Sequence, residues 1–294
     1  MKKFVYVLFV VIVISLIGFC VYTSTPKYMM NKYVNAYLNN DCELMYSLTK
    51  SYNDLTNENN YVKACSKNKQ NINDSDVDIN KDYILVDKGD EVFKIKIQKD
   101  PKEHIGIDRY EVTQDDVPLL KNVILYVPLN SKNVLLNGTD ISGYKVESDN
   151  KLYDKYEISY LYKIDYEIEL QYAKRQYKET ITFTKDEDVL YYEFDNEPIE
   201  ITVFTLSTCP HCVNLSKFYD SLSEVYKNIF VVKKYDVLNR ENENVFNYYQ
   251  NKLDIKITGF PTSIIGDDYI QGYSEELEDE YLFKIFDAYR KNID

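Results

Sequence analysis

Cys209-Pro210-His211-Cys212 is the stretch of sequence that decides the fold of the C-terminal third of this chain. A strand-like apolar run, 199–204, precedes it, and a helix-like run, 213–227, follows it. Later in the chain, Gly259-Phe260-Pro261-Thr262 leads into a second strand-like run, 263–265. A lone C-x-x-C motif is a weak signal. One that ends a strand, opens a helix and precedes a proline at a turn-to-strand junction predicts a redox-active cysteine pair.

The spacing of the two cysteines suits thiol–disulfide chemistry. Cys209 and Cys212 fall on one helical turn, so they are close enough to form a disulfide or to resolve a mixed disulfide. Cys209 comes where unpaired backbone N–H groups and the positive end of the helix dipole favour the thiolate, which is the attacking species. Pro210 is tolerated at an early helical position, and His211 adds a neighbour that further favours the anion on Cys209. Stabilising that anion stabilises the dithiol, which makes the disulfide a stronger oxidant.

The order of the predicted C-terminal elements resembles the thioredoxin fold, and Cys-Pro-His-Cys is similar to the active-site tetrapeptide of DsbA-like disulfide oxidases. The resemblance implies an α/β domain over 198–294, with Cys209 as the exposed nucleophile and Pro261 as a cis-proline facing the disulfide. It implies that Phe260, Pro261 and Thr262 bind the substrate, which docks on backbone groups as an extended segment. It also implies no dissolved cofactor, and client proteins that react through their cysteines.

Three features depart from that family. It carries a buried carboxylate six residues before the first cysteine, which helps to move a proton to or from the second, and this chain has Val203 there. Proton transfer at Cys212 then needs water or another group, so resolution of the mixed disulfide is expected to be slow. The family has a small or β-branched residue before the cis-proline, whereas Phe260 narrows or reshapes the groove. The helical insertion of DsbA-like proteins is missing.

Two other interpretations of the cysteine pair stay open. It could be half of a zinc site, but structural zinc takes four ligands and no second pair or histidine cluster follows, so we predict no metal. It could also be a structural disulfide in a domain that has lost its activity.

The N-terminus predicts a membrane anchor. Lys2 and Lys3 precede an uncharged apolar run, 4–22, which as a helix would span roughly 28 Å, about the thickness of the hydrocarbon core. We therefore expect a single-pass transmembrane helix within 1–25, an uncleaved signal anchor in the cell membrane with a cytoplasmic N-terminus and the bulk of the chain outside. A cleaved signal peptide is the alternative, although no A-x-A-like site follows the run.

The charge and the cysteine content limit the classes of possible partner. The net charge of −13 and the pI of about 4.8 argue against nucleic acid. Cys42 and Cys65 each lie in a predicted helix and form either a structural disulfide, which an exported chain permits, or two buried free thiols. A membrane redox partner is expected to recycle the active pair.

The segment before the redox domain predicts two further domains. Over 26–116, the helical spacing of 30–38 contributes to an α+β domain that resembles the cone-shaped, nuclear-transport-factor-like domains of Gram-positive membrane proteins. Over 117–197, the alternation of 164–172 and the turn Asn137-Gly138 predict an all-β domain that resembles immunoglobulin-like sandwich modules of bacterial surfaces. The predicted fold class is multidomain: a transmembrane helix, a cone-like α+β domain, an all-β sandwich and an α/β thioredoxin-like domain.

Two functions from different classes follow. The first is a membrane-anchored, extracytoplasmic thiol–disulfide oxidoreductase in which Cys209 forms a mixed disulfide with a client protein and Cys212 resolves it, in a redox direction that the sequence leaves open. The second is an anchored cell-envelope binding or sensor protein whose thioredoxin-like domain is non-catalytic. The two preceding domains motivate the second function, since an oxidase does not require them.

Overall fold

The computed structural model describes residues 2–68, 72–80, 83–89, 91–101, 109–226 and 228–292. Within them the α-helices are α1 (Lys2–Thr23), α2 (Pro26–Leu38), α3 (Cys42–Ser47), α4 (Glu58–Lys67), α5 (Pro210–Val225), α6 (Glu243–Leu253) and α7 (Glu278–Lys291). The β-strands are β1 (Val77–Ile79), β2 (Tyr83–Asp87), β3 (Val92–Lys99), β4 (Tyr110–Gln114), β5 (Leu119–Pro128), β6 (Lys132–Leu136), β7 (Thr139–Asp140), β8 (Lys145–Val146), β9 (Tyr153–Tyr162), β10 (Asp165–Tyr172), β11 (Arg175–Thr182), β12 (Val189–Tyr191), β13 (Ile199–Thr205), β14 (Phe230–Asp236), β15 (Thr262–Ile265) and β16 (Asp268–Gln271). The predicted fold class is corrected accordingly: the chain is a mixed α/β structure with several four-stranded sheets.

The N-terminal transmembrane helix in the predicted fold class is wrong. No single helix of the described residues is long and apolar enough to cross a membrane; only Leu8–Thr23 and Pro26–Leu38 together reach that length and composition, and they are bent by 68°. The bend occurs because Thr25 starts a new helix. Its side chain accepts a hydrogen bond from the Tyr28 N–H group at 3.2 Å, and the proline that follows is the first residue of α2.

Within 26–116, the described residues form α2, α3 and α4, followed by an antiparallel sheet of order β1-β2-β3-β4. The side chains of Asp41 and Asn57 cap α3 and α4 by accepting backbone N–H groups of the first turn. Cys42 and Cys65 join these two helices through a disulfide, with an S–S distance of 2.07 Å. The caps stabilise the start of each helix, and the disulfide fixes α3 against α4.

Two further sheets lie within 117–197, one of order β12-β5-β9-β8 and one of order β11-β10-β6-β7. The alternation predicted for 164–172 is seen in β10, where buried residues alternate with more exposed ones. The hydrophobic core is continuous across residue 117, because one cluster runs from Met29 in α2 to Phe194 after β12. Helices α2–α4 and the first three sheets therefore pack around a shared core.

The C-terminal sheet has the order β14-β13-β15-β16. β13 runs parallel to β14 and antiparallel to β15, and β15 and β16 form a hairpin. Successive residues of β13 face opposite sides, so Val203 packs under α5 and α7 whereas Phe204 packs under α6. The chain leaves the carboxyl end of β13 and enters α5 there, which is where open α/β sheets place their sites.

Candidate active site

Cys209, Pro210, His211 and Cys212 connect the end of β13 to the first turn of α5. Cys209 is the N-cap residue with an extended backbone (φ −90°, ψ 115°), and Pro210 lies in the first helical turn. Proline loses no hydrogen bond there, because first-turn N–H groups have no acceptor within the helix. His211 is exposed on the same turn. The fold thus places the Cys209 sulfur at the positive end of α5.

Cys209 is half-buried, and its sulfur contacts two backbone groups. Its Sγ accepts a hydrogen bond from the Cys212 N–H group at 3.3 Å and lies 3.5 Å from the Phe260 carbonyl oxygen, to which the thiol donates. Both cysteines of the motif are free thiols. An N–H group directed at the sulfur stabilises a negative charge on it, so this geometry favours a nucleophilic and reachable Cys209.

Cys212 is in a different environment. Its side chain is buried, with 6% of the residue exposed. Burial is the largest of the causes that raise the pKa of the Cys212 thiol to about 11; the hydrogen bond to Cys209 and the negative charge of Asp236 at the end of β14 act in the same direction, whereas a hydrogen bond to the Leu206 backbone lowers it. The pair is therefore asymmetric: Cys209 is partly exposed, whereas Cys212 is a buried thiol that stays protonated at neutral pH.

The loop before β15 lies beside this pair. The Phe260–Pro261 peptide bond is cis, and the carbonyl that faces the Cys209 sulfur is that of Phe260. The Pro261 carbonyl accepts a hydrogen bond from the Gly272 N–H group at 2.7 Å, so it is already engaged by the segment after β16. The Phe260 carbonyl is thus the part of the loop that lies next to the Cys209 sulfur.

Thr262, which the resemblance assigns to substrate binding, lies below this loop. It is fully buried, and its hydroxyl donates a hydrogen bond to the Gly259 carbonyl oxygen at 2.6 Å. Its side chain therefore shapes the turn that carries Phe260.

Gln271 is a site residue that our sequence reasoning missed. Its Oε1 atom accepts hydrogen bonds from the N–H groups of Thr258 at 3.3 Å and Gly259 at 3.1 Å, which holds the loop before the cis-proline. A signal was available in the hairpin register. Counting back from the turn at Gly266-Asp267 places Gln271 opposite Thr262, at the strand end nearest the cysteines.

Two other predicted features lie away from the reacting sulfurs. Cys42 and Cys65 belong to the core shared by α2–α4 and the first three sheets, so the structure does not bring them to the motif. Val203 is 1% exposed in the core under α5 and α7, so β13 supplies no carboxylate to Cys212.

Across the described ranges, no group of three or more His, Cys, Asp or Glu side chains is placed to hold a metal ion. In comparisons with known proteins, no family model, no curated protein and no solved structure matches this chain. Its function is therefore inferred from the geometry of the site.

Proposed function

We propose that this chain is a thiol–disulfide oxidoreductase that acts on the cysteines of client proteins through a thioredoxin-like C-terminal unit. One observation carries the proposal: the Cys209 sulfur lies between the Cys212 N–H group at a helix N-terminus and the Phe260 carbonyl of a cis-proline loop. The first group stabilises a thiolate, and the second brings an edge of backbone next to it. An extended client segment that pairs with this edge presents its disulfide to the sulfur.

The chemistry takes two exchanges. The Cys209 thiolate attacks a client disulfide, forms a mixed disulfide and releases one client thiolate, which takes a proton from water. Cys212 then loses its proton and attacks the Cys209 sulfur. The Cys209–Cys212 disulfide forms, and the second client sulfur leaves and is protonated. The dithiol is oxidised as the client is reduced, and the same bonds run in reverse when the enzyme is the oxidant.

The location and the partner follow from the redox chemistry. The Cys42–Cys65 disulfide supports an oxidising compartment, because such bonds are rare where glutathione and thioredoxin keep thiols reduced. Each turnover converts the dithiol to the disulfide or the reverse, so a separate redox protein restores the starting state.

Trapping of the mixed disulfide tests the proposal. Cys212→Ala removes the resolving thiol but leaves Cys209 in place, so clients accumulate as covalent adducts of the chain. These adducts are identified by non-reducing electrophoresis and mass spectrometry. All variants carry Cys20→Ser, because Cys20 is an exposed free cysteine that would react independently.

Cys209→Ala is the matched control and is expected to trap nothing. A folded Cys212→Ala variant that forms no mixed disulfide in its native compartment would overturn the proposal and favour a non-catalytic binding or sensor role.

A further inference from the structure

A cavity of about 590 Å³ lies in the part of the chain that precedes the C-terminal unit. The aromatic side chains of Tyr52, Phe93, Tyr160 and Tyr162 line it, together with polar groups that include Asp115. Its volume is within the range of small-molecule sites, and aromatic walls with a few polar groups are typical of such sites. The described residues that line it all fall within 49–186, so the proposed redox chemistry at the cysteines does not account for it.

Tyr162 brings an unpaired hydroxyl to this cavity. The residue is 2% exposed, and its ring packs edge-to-face against the Tyr61 ring with 5.5 Å between the ring centres. Within the described ranges of the chain, its hydroxyl makes no hydrogen bond. A buried hydroxyl costs free energy unless it is paired, so the cavity is where its partner must come from.

Asp115 brings a carboxylate with spare acceptor capacity to the same cavity. Its Oδ2 atom accepts hydrogen bonds from the hydroxyls of Tyr33 at 3.2 Å and Tyr61 at 2.8 Å, and its Oδ1 atom accepts one from the Val117 N–H group at 3.0 Å. An ionised carboxylate can accept about four hydrogen bonds, so Oδ1 keeps a lone pair for a further donor. The carboxylate and the Tyr162 ring therefore flank the same tyrosine, Tyr61.

The charge on Asp115 has no counter-ion. Among the residues that the structure describes, no lysine or arginine pairs with it, whereas the neighbouring Asp116 pairs with Lys88 and both of those side chains are buried. Asp186, a third acid in the lining, is exposed, so water solvates its charge. An enclosed carboxylate is stable as an ion when a cation accompanies it. A ligand that carries a positive charge would supply what this carboxylate lacks.

The rings of the cavity favour a cation that forms hydrogen bonds over one that rests on ring faces. Tyr52 stacks against Tyr160 with ring centres 4.4 Å apart, and the Lys50 Nζ atom lies 5.6 Å from the Tyr52 ring centre. The Lys88 Nζ atom lies 4.6 Å from the Phe93 ring centre. A quaternary ammonium group needs free ring faces around it, and several of these faces are already occupied.

We propose that this cavity binds a small protonated primary amine, whose ammonium group is held by Asp115 Oδ1 and the Tyr162 hydroxyl and whose carbon chain packs on the aromatic side chains. An ammonium group has three N–H donors and no acceptor, so it matches two groups that lack donors. It also brings the positive charge that Asp115 lacks. A neutral alcohol can donate to the same atoms but leaves the carboxylate without a counter-ion.

Isothermal titration calorimetry of the full chain with pentylammonium above pH 7 tests the proposal. We expect saturable binding of pentylammonium, and binding of pentanol weaker by about tenfold because it has the same chain but no charge. Pentyltrimethylammonium keeps the charge and loses all three N–H donors, so it should also bind about tenfold more weakly.

Two substitutions test the two groups that hold the ammonium. Asp115→Asn keeps the shape of the side chain and removes its charge, so pentylammonium binding should weaken by about tenfold, and Tyr162→Phe should weaken it by about fivefold. Urea unfolding shows whether each variant is folded. Tyr192→Phe is the matched control: Tyr192 is 3% exposed and belongs to the same core, but it lies outside the lining of the cavity, so the affinity should not change.

The absence of saturable pentylammonium binding by the folded wild type would overturn the inference. So would equal affinities for pentylammonium and pentanol, or for pentylammonium and its trimethyl analogue. An unchanged affinity in folded Asp115→Asn or in folded Tyr162→Phe would overturn it as well, because the ammonium would then be held elsewhere.

Discussion

Asp115 is an ionisable side chain placed inside the core. Its carboxylate accepts hydrogen bonds from the hydroxyls of Tyr33 in α2 and Tyr61 in α4, and from the Val117 N–H group. Burial is the largest of the causes that raise the pKa of Asp115 to about 6; the neighbouring Asp116 also raises the pKa, whereas the three hydrogen-bond donors lower it. Asp116 has a buried cation of its own, since it pairs with Lys88.

The raised pKa predicts a pH-dependent stability. Asp115 is easier to protonate when folded than when unfolded, where its pKa is 3.8. The stabilisation from the preferential protonation of folded Asp115 is therefore complete below about pH 3.8. It is lost as pH rises through 6, which lowers the free energy of unfolding by about 3 kcal/mol. Asp115→Asn, which cannot ionise, should gain stability relative to the wild type between pH 4 and pH 7 in urea unfolding.

Asp165→Asn is the control, because the pKa of Asp165 is shifted in the opposite direction. A hydrogen bond to Lys67 lowers the pKa of this exposed carboxyl, so its stabilisation is present above about pH 3.8 and is lost on acidification. If the free energy of unfolding of Asp115→Asn varied with pH in parallel with that of the wild type, this would contradict the account of Asp115.

The two cysteines of the site could be predicted from the sequence, whereas two buried polar residues could not. Cys209 and Cys212 were recognisable because their spacing and their place between a strand and a helix are local. Ser263 and Asp115 were not, because their buried hydrogen bonds are made with partners distant in the sequence. The pairing of Val203 with Ser263 needs the β13–β15 register, and the donors of Asp115 come from helices far earlier in the chain.

At the scale of elements, β16 supports the loop that faces the cysteines. Gln271, at its last position, is the acceptor for two successive backbone N–H groups of that loop. α6 adds a second support, since Gln250 Oε1 accepts the Ile257 N–H group at 2.9 Å. The loop before the cis-proline is therefore held by side chains of two different elements.

Gln271→Leu tests this support. The substitution keeps the size of the side chain but leaves two N–H groups without their acceptor, so the free energy of unfolding should fall by about 1–2 kcal/mol. Mixed-disulfide formation with a peptide client should slow severalfold, because the docking edge loses its position, whereas alkylation of Cys209 by iodoacetamide should be unaffected. Gln176→Leu, at an exposed position of β11, is the control and should change neither rate. Unchanged peptide kinetics in Gln271→Leu would show that the loop does not need this support.

Local sequence patterns predicted where helices occur better than where one helix ends and the next begins. The helix after the motif was predicted over 213–227 and is observed as Pro210–Val225. The N-terminal helix was placed by hydropathy, which does not detect a bend. The bend is made by Thr25 and Pro26, an N-cap and a first-turn proline that are themselves a helix-start signal in the sequence.

At the scale of the whole molecule, a buried ion pair joins the C-terminal unit to the sheets before it. Arg290 on α7 makes two hydrogen bonds to the Glu193 carboxylate, at 2.9 and 2.8 Å, and a third to the Leu152 carbonyl at 3.1 Å. The guanidinium also lies 4.9 Å from the Tyr153 ring centre and 5.2 Å from that of Phe286. Its side chain is 3% exposed. The C-terminal unit is thus packed on the β-rich part of the chain.

Arg290→Met should lower the free energy of unfolding by about 3 kcal/mol, because it leaves the Glu193 carboxylate largely buried without its cation. Guanidinium unfolding measures this change, and Arg290→Met with Glu193→Leu should recover most of it. Lys151→Met is the matched control: Lys151 also reaches α7, pairing with Asp279, but both side chains are exposed, so no measurable change is expected. Equal effects of the two single variants would contradict a special role for the buried pair.

The sequence predicts single strands better than it predicts how the strands and helices pack together. Alternation predicted β10, yet the core shared by α2–α4 and the first three sheets was not evident, because it is built from side chains brought together across long separations. The pairing of Arg290 with Glu193, nearly a hundred residues apart, is of the same kind.

The number of thiolates released from an aromatic disulfide is the most direct measure of a nucleophilic Cys209 resolved by Cys212. The reduced Cys20→Ser protein should release two equivalents and end with a Cys209–Cys212 disulfide. Cys212→Ala should release one and retain the reagent on Cys209, and Cys209→Ala should release none at a comparable rate. Fast release by Cys209→Ala, or one equivalent from the protein that has both cysteines, would contradict the account.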